Sequence, residues 1–321
     1  MPFNVLVTAP VLGPRGLEKL QGAGCRVLFV KKGHEELERL MAAEPIDAVI
    51  SRTLELDAAA IKSCPSLRVI SKHGAGVNNI DVEAATQSGI PVFYTPGANA
   101  QSVAELTIGL MLAVARKISF HDKALHDGGW TRSNDGLQLE GRTLGLIGVG
   151  DIGGRVGQLA RAFGMSVIGY DPFVQTAPAF EMVSSLDKLL AASDFVSIHS
   201  PLTAETKGMI GTRELRLMRP TSILVNTSRG GIVDEMALAA ALENKIIGGA
   251  ALDVFSTEPP AAASPLLKLP NLVMTPHVGG STYEALDAVA AAAADTAIQY
   301  LSGGVVDPTL CINPIALQTK S

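Results

Sequence analysis

The chain has 321 residues, 47% hydrophobic and 18% charged, the balance of a globular protein long enough for two α/β domains. A formal net charge of −5 argues against general nucleic-acid binding, which needs a basic face to neutralise phosphates. Cys25, Cys64 and Cys311 lie far apart without metal-type spacing, so no disulfide framework and no metal site are expected; each reads as a small buried hydrophobe in a reducing compartment.

Met1–Pro10 lacks a basic region followed by a long apolar stretch, and nowhere do about 20 apolar residues run on without charge or glycine. The expected address is the cytoplasm, with no membrane partner. In the first hundred residues, Asn4–Thr8, Arg26–Val30, Ala48–Ile50, Arg68–Ser71 and Val92–Thr95 read as strands. Between them, Leu17–Gln21, Glu35–Ala42 and Val82–Gln87 have the spacing of amphipathic helices. Alternation of this kind predicts a parallel sheet covered on both faces. Thr95-Pro96-Gly97-Ala98 then breaks the pattern, and one long helix is predicted from Ala100 towards Leu125, with an apolar stripe through Val103, Leu106, Leu110 and Val114.

A second α/β run begins at Thr143, with strands at Leu144–Ile147, Val167–Tyr170, Phe195–Ile198, Ile223–Asn226, Ala250–Val254 and Leu272–Thr275. Six strands with intervening helices suit a doubly wound dinucleotide-binding sheet. A helix over Glu284–Leu301 follows, and within it the Ala-rich stretch Ala288–Ala294 reads as tightly packed.

The first strand of this run leads straight into Gly148-Val149-Gly150-Asp151-Ile152-Gly153, a G-x-G-x-x-G. Gly148 permits the tight turn, Gly150 lets the backbone approach a pyrophosphate, and Gly153 lets the next helix pack on the strand. The first helical turn, from Asp151 and Ile152 towards Arg155, offers free N–H groups and a positive dipole end to phosphates. Asp171 ends the second strand, 18 positions after Gly153. A carboxylate there accepts hydrogen bonds from the adenosine ribose and repels a 2′-phosphate, so NAD is expected over NADP. The alternative role for Asp171 is capping the turn before Pro172.

Three polar residues follow the last three strands: Arg229 after Ile223–Asn226, Glu258 after Ala250–Val254, and His277 after Leu272–Thr275. Strand carboxyl ends line the ligand crevice of such sheets. The trio fits hydride chemistry on a 2-keto acid. A guanidinium offers a fork of donors to the carboxylate, and a histidine serves as acid and base at the oxygen on C2. A neighbouring carboxylate favours the charged ring and orients it.

Together with Lys72-His73-Gly74-Ala75-Gly76-Val77, Ser102-Val103-Ala104-Glu105, His199-Ser200-Pro201-Leu202-Thr203, Asn226-Thr227-Ser228-Arg229-Gly230 and Pro276-His277-Val278-Gly279-Gly280, these motifs make the chain resemble the D-isomer-specific 2-hydroxyacid dehydrogenases from Val5 to about Pro314. The resemblance implies two doubly wound parallel-sheet α/β domains: a Rossmann cofactor domain over residues 99–285, and a smaller flavodoxin-like substrate domain over 1–98 and 286–321. It implies catalytic Arg229, Glu258 and His277, with His277 as acid/base. It adds His199, Pro201, Thr227, Ser228 and Asp253 to the cofactor set, Asp253 near the nicotinamide carboxamide. It places the Gly74, Ala75 and Gly76 backbone around the substrate carboxylate, and it implies a homodimer built on the cofactor domains. Asn78 departs from the Asp of many relatives and reads as a turn variation. The chain stops near Ser321, so a regulatory C-terminal domain with serine feedback is not expected.

Arg52 and Lys72 follow strands of the first run and are expected to bind a distal anionic or polar group, as in 3-phosphoglycerate, sulfolactate or hydroxypyruvate. His73 lines the same pocket or plays a structural part. Trp130, the only tryptophan, reads as a packing residue, with contact to substrate from a second subunit as the alternative. Two other functions suit the same motifs: a dehydrogenase for formate or phosphite, and a nucleotide-sensing binding protein like the transcriptional corepressors of this fold.

Overall fold

A computed structural model describes residues 2–130, 132, 135–174, 176 and 180–317. The chain divides into two compact units, Met1–Asn99 with Ser281–Ser321, and Ala100–Gly280.

The first unit contains strands β1 (Asn4–Val7), β2 (Arg26–Phe29), β3 (Ala48–Ser51), β4 (Val69–Lys72) and β5 (Val92–Phe93), with helices α1 (Pro14–Gly22), α2 (His34–Ala43), α3 (Ala58–Lys62) and α4 (Val82–Gln87). All pairs are parallel, and the order β2-β1-β3-β4-β5 is the flavodoxin-like one. β3 and β4 are buried on both faces, and polar residues enter them only towards their carboxyl ends, Ser51 in β3 and Ser71 and Lys72 in β4. Helices α3 and α4 start where Asp57 and Asp81 accept hydrogen bonds from Ala60 and Ala84 N–H.

The second unit holds β6 (Thr143–Ile147), β7 (Ser166–Tyr170), β8 (Glu181–Met182), β9 (Phe195–Ile198), β10 (Ile223–Asn226), β11 (Gly249–Leu252) and β12 (Leu272–Met274). Its helices are α5 (Ala100–Ala115), α6 (Ile118–His126), α7 (Asp151–Ala162), α8 (Leu186–Ala192), α9 (Thr212–Leu217) and α10 (Glu235–Glu243). The parallel order β12-β11-β10-β9-β6-β7-β8 is that of a Rossmann sheet, with its reversal between β6 and β9. β8 is a seventh strand beyond the six expected; at two residues it is too short to show a pattern.

The single helix expected from Ala100 to Leu125 is two. Lys117 takes a left-handed backbone (φ 53°) and separates a largely buried α5 from α6, which buries none of its residues. Neither glycine nor proline marks the break. Beyond it Trp130 is 77% exposed, so the packing role expected of it is not met within this chain.

The last helix, α11 (Tyr283–Leu301), belongs to the first unit. Thr282 caps it by accepting from Ala285 N–H, and Ala293, Ala294 and Ala297 are buried beside β1, β3 and β4 residues. The alanines have a reason. A β-carbon at Gly16 of α1 would come within 2.6 Å of the Ala290 carbonyl oxygen, so α1 and α11 pack almost backbone to backbone.

Candidate active site

In the second unit the glycine loop and the His199 segment follow β6 and β9, the two strands flanking the sheet's reversal. Gly148 has φ 89°, and a β-carbon there would lie 2.8 Å from the His199 carbonyl oxygen. At Gly153 it would lie 2.2 Å from the Gly148 carbonyl oxygen, so the start of α7 packs on the loop only without a side chain. Gly150 differs: a β-carbon there would meet nothing within 4 Å. No side chain among the described residues caps α7, so its first N–H groups keep their donors for a ligand. A helix N-terminus behind a bare loop fits a dinucleotide pyrophosphate.

Asp171 ends β7 beside that loop. One carboxylate oxygen accepts from Val149 N–H at 3.1 Å, and the other from Phe173 N–H at 2.9 Å. It therefore does cap the Pro172 turn, while each oxygen keeps a lone pair for a further donor. His199 lies beneath the loop, with Nε2 2.9 Å from Ser197 Oγ. Its buried Nδ1 has no partner among the described residues, and burial pushes the ring's pKa down to about 3. Thr227 is buried with its hydroxyl 2.8 Å from that of Thr107 on α5, and Ser228 donates its hydroxyl to Asn226 Oδ1 at 2.9 Å.

Arg229, Glu258 and His277 follow β10, β11 and β12, which are neighbours in the sheet. The Asn226 side chain shapes the first turn: Oδ1 accepts from Ser228 N–H at 3.0 Å and Nδ2 donates to the Arg229 carbonyl at 2.9 Å. Arg229 donates to the Ser228 carbonyl at 2.6 Å but forms no ion pair among the described residues. Burial lowers its pKa from the ordinary value, and the Glu258 charge opposes this, which places that carboxylate in its electrostatic neighbourhood. A partly buried guanidinium without a carboxylate partner is costly unless a ligand supplies one.

Glu258 is held by Phe255 N–H, which donates to Oε1 at 3.1 Å; Oε2 lies 2.8 Å from His277 Nδ1. His277 has φ 52°, uncommon for a residue with a side chain, kept by N–H bonds to the Asp253 and Thr275 carbonyls. With Nδ1 turned to Glu258, Nε2 is left for chemistry; the side chain is 50% exposed. Asp253 is buried and takes hydrogen bonds from Thr275 Oγ1 (2.6 Å), Val278 N–H (2.9 Å) and Gly279 N–H (2.8 Å). Its carboxylate thus ties the His277 loop to β11. Gly230 allows the β10 and β11 turns to meet, since a β-carbon there would sit 1.9 Å from the Phe255 carbonyl oxygen.

The first unit holds the remaining predicted residues around the end of β4. Gly74 has φ 132°, and its N–H donates to Thr95 Oγ1 and the Lys72 carbonyl. Ala75 and Gly76 N–H groups form no hydrogen bond among the described residues. His73 Nε2 lies 3.2 Å from the Leu286 carbonyl, and burial, then the Arg52 charge, lowers its pKa to about 4, so the ring is neutral at pH 7. Lys72 is buried, its ammonium bonded to the Arg52 carbonyl and to Asn79 Oδ1. The Arg52 guanidinium forms no hydrogen bond or ion pair among the described residues. Asn226 stands in one of the motifs that carry the resemblance, whereas Asn79 and Thr275, which also hold these groups, carry no sequence signal beyond a polar residue near a strand end.

Residues 108–279 match the family "D-isomer specific 2-hydroxyacid dehydrogenase, NAD binding domain". The chain is 43% identical to the D-3-phosphoglycerate dehydrogenase of Methanocaldococcus jannaschii over 95% of its own length and 58% of that protein's. It is 43% identical to the hydroxypyruvate reductase of Thermotoga maritima over 80% of itself and 86% of that protein. A crystal structure of a Thermus thermophilus protein superposes with a TM-score of 0.88 at 34% identity, over 97% of this chain and 100% of that one. The chain spans 54% to 58% of the length of the first phosphoglycerate dehydrogenases it matches. The chain belongs to the D-isomer-specific 2-hydroxyacid dehydrogenase family, and its second unit is that family's NAD-binding domain.

Proposed function

We propose that this chain is an NAD-dependent 2-hydroxyacid dehydrogenase, interconverting a small D-2-hydroxy acid and its 2-keto acid. The observation that carries it is the His277–Glu258 pair at 2.8 Å on strands next to an Arg229 that has no carboxylate partner among the described residues. When bound, the nicotinamide supplies or takes up the hydride. Arg229 grips the substrate carboxylate through two N–H groups. His277 Nε2 gives a proton to the C2 oxygen in reduction and removes it from the hydroxyl in oxidation. Glu258 accepts the Nδ1–H bond, fixing the tautomer and stabilising the ring when it is positive.

Asp171 selects NAD by repelling a 2′-phosphate, and Asp253, His199, Pro201, Thr227 and Ser228 frame the nicotinamide side. Arg52 reads a distal anionic group, which favours keto acids of the phosphohydroxypyruvate or sulfopyruvate type. A homodimer forms through α6, whose Ile118, Phe120 and Leu125, with Trp130 beyond, leave an apolar face that none of the described residues covers. Three free, buried cysteines suit a reducing cytoplasm; no described helix is long and apolar enough to cross a membrane.

The test is absorbance at the reduced-nicotinamide band with NADH or NADPH and glyoxylate, hydroxypyruvate, pyruvate, phosphohydroxypyruvate and sulfopyruvate. Turnover preferring NADH and a keto acid with an anionic tail is expected. NADH binding without turnover of any of them would overturn the enzymatic reading.

A further inference from the structure

Lys72 is a cation at a strand end, yet its ammonium points into the protein. It is 6% exposed, and the amine donates to the Arg52 carbonyl and, at 2.6 Å, to Asn79 Oδ1. Asn79 in turn donates through Nδ2 to the Leu54 carbonyl at 2.7 Å and to Ser51 Oγ at 3.1 Å. On the other side, Arg52 N–H donates to Thr8 Oγ1 at 2.8 Å. Both backbone groups of Arg52 are therefore held by side chains, and its neighbours Ser51 and Leu54 are held by the same asparagine. The guanidinium at the end of this braced segment is left to solvent or ligand. Charge so presented binds an anion with little ordering cost, because the backbone beneath it is already fixed.

We infer that Lys72 is a positioning residue for Arg52: a buried strut, with Asn79, that fixes the backbone from which Arg52 reads a distal anion of the substrate. This deepens the function proposed above and rests on its Arg52 assignment. It also divides the labour of two cations expected to act alike: Arg52 touches the ligand and Lys72 does not. His73 adds no charge of its own: burial, then the Arg52 charge and, more weakly, that of Lys72, keep its ring neutral at pH 7.

Two measurements test this. The first is labelling of lysines in the native enzyme with acetic anhydride, read residue by residue by mass spectrometry, with and without phosphohydroxypyruvate. A strut stays unlabelled in both; labelling of Lys72 that this substrate suppresses would make it a direct ligand and overturn the inference. The second compares kcat/KM for phosphohydroxypyruvate with that for glyoxylate, which has no distal group. Arg52→Ala lowers this ratio by about 100-fold and Lys72→Met by about tenfold, the loss lying in KM. Lys72→Gln, which keeps N–H donors on a side chain one bond shorter, recovers part of it. Lys72→Met adds nothing in an Arg52→Ala background, because a strut has no effect once its load is gone. A further tenfold loss in the double variant would refute the strut. An Arg52→Ala enzyme with an unchanged ratio would instead remove the distal-anion reading, and the labelling result would still judge the burial of Lys72.

Discussion

In the second unit, functional side chains stand at strand ends on scaffolds built by other side chains: Asn226 shapes the turn under Arg229, and Asp253 ties down the loop bearing His277. In the first unit, one strand-end cation, Lys72, is itself scaffold, and the groups left open are the Ala75 and Gly76 amides and the Arg52 guanidinium. The contrast follows from what each unit must do in the proposed reaction. Proton transfer needs a particular titratable atom at a particular place, so residue type matters. Holding a carboxylate needs only donors, which the backbone supplies at any residue that leaves its N–H free.

The contrast breaks most visibly at His277. Replacing it by Ala removes the only proton carrier in the proposed mechanism and should lower kcat by about 1000-fold, roughly 4 kcal/mol of barrier, while NADH binding by fluorescence quenching persists. A loss below tenfold would move the acid/base role elsewhere. Next in size is the scaffold beneath it. Asp253→Ala strands one buried and one half-buried N–H and one hydroxyl and should cost about 3 kcal/mol in denaturant unfolding. If stability holds and only activity falls, Asp253 acts on the cofactor rather than on the loop.

Arg229→Lys sharpens the difference between a fork and a point charge. Lysine keeps the charge but not the paired donors, so kcat/KM should fall about 30-fold, near 2 kcal/mol. Full activity would mean that the fork of donors is not what orients the carboxylate.

The last effect is spread over both units. His73 and His199 are held neutral, with pKa values near 4 and 3 against 6.5 for the free side chain. Below about pH 6.5 the unfolded chain therefore binds more protons than the folded one, so stability falls on acidification. The slope is at most about 1.4 kcal/mol per pH unit for each ring, and it ends once the folded-state pKa is passed. Urea titrations at pH 7 and 5 measure it; a His199→Asn variant should show a shallower dependence, and equal slopes would contradict the burial argument.

Much of the fold was legible because its signals are short. Buried strands such as Phe195–Ile198 and Ile223–Asn226 are mostly apolar stretches, each with three apolar residues of four, and the glycine loop states its conformation through the one residue type that tolerates it. The α5–α6 break was not legible, because a left-handed Lys117 leaves no local mark. Trp130 misled for a different reason: a large aromatic ring argues for burial without naming what covers it.

By itself, then, the sequence determined the two parallel sheets, the nucleotide loop and the order of the Arg, Glu and His at successive strand ends, since each depends on residues a few positions apart. Only the tertiary structure decided what the polar side chains bond to. Asp253 finds Val278 25 residues away, and Lys72 finds the Arg52 carbonyl 20 residues away. Such pairings depend on which strands lie side by side and how far each turn carries its atoms. A buried donor takes whichever acceptor the fold places there, because leaving it unpaired costs more than the bond itself contributes.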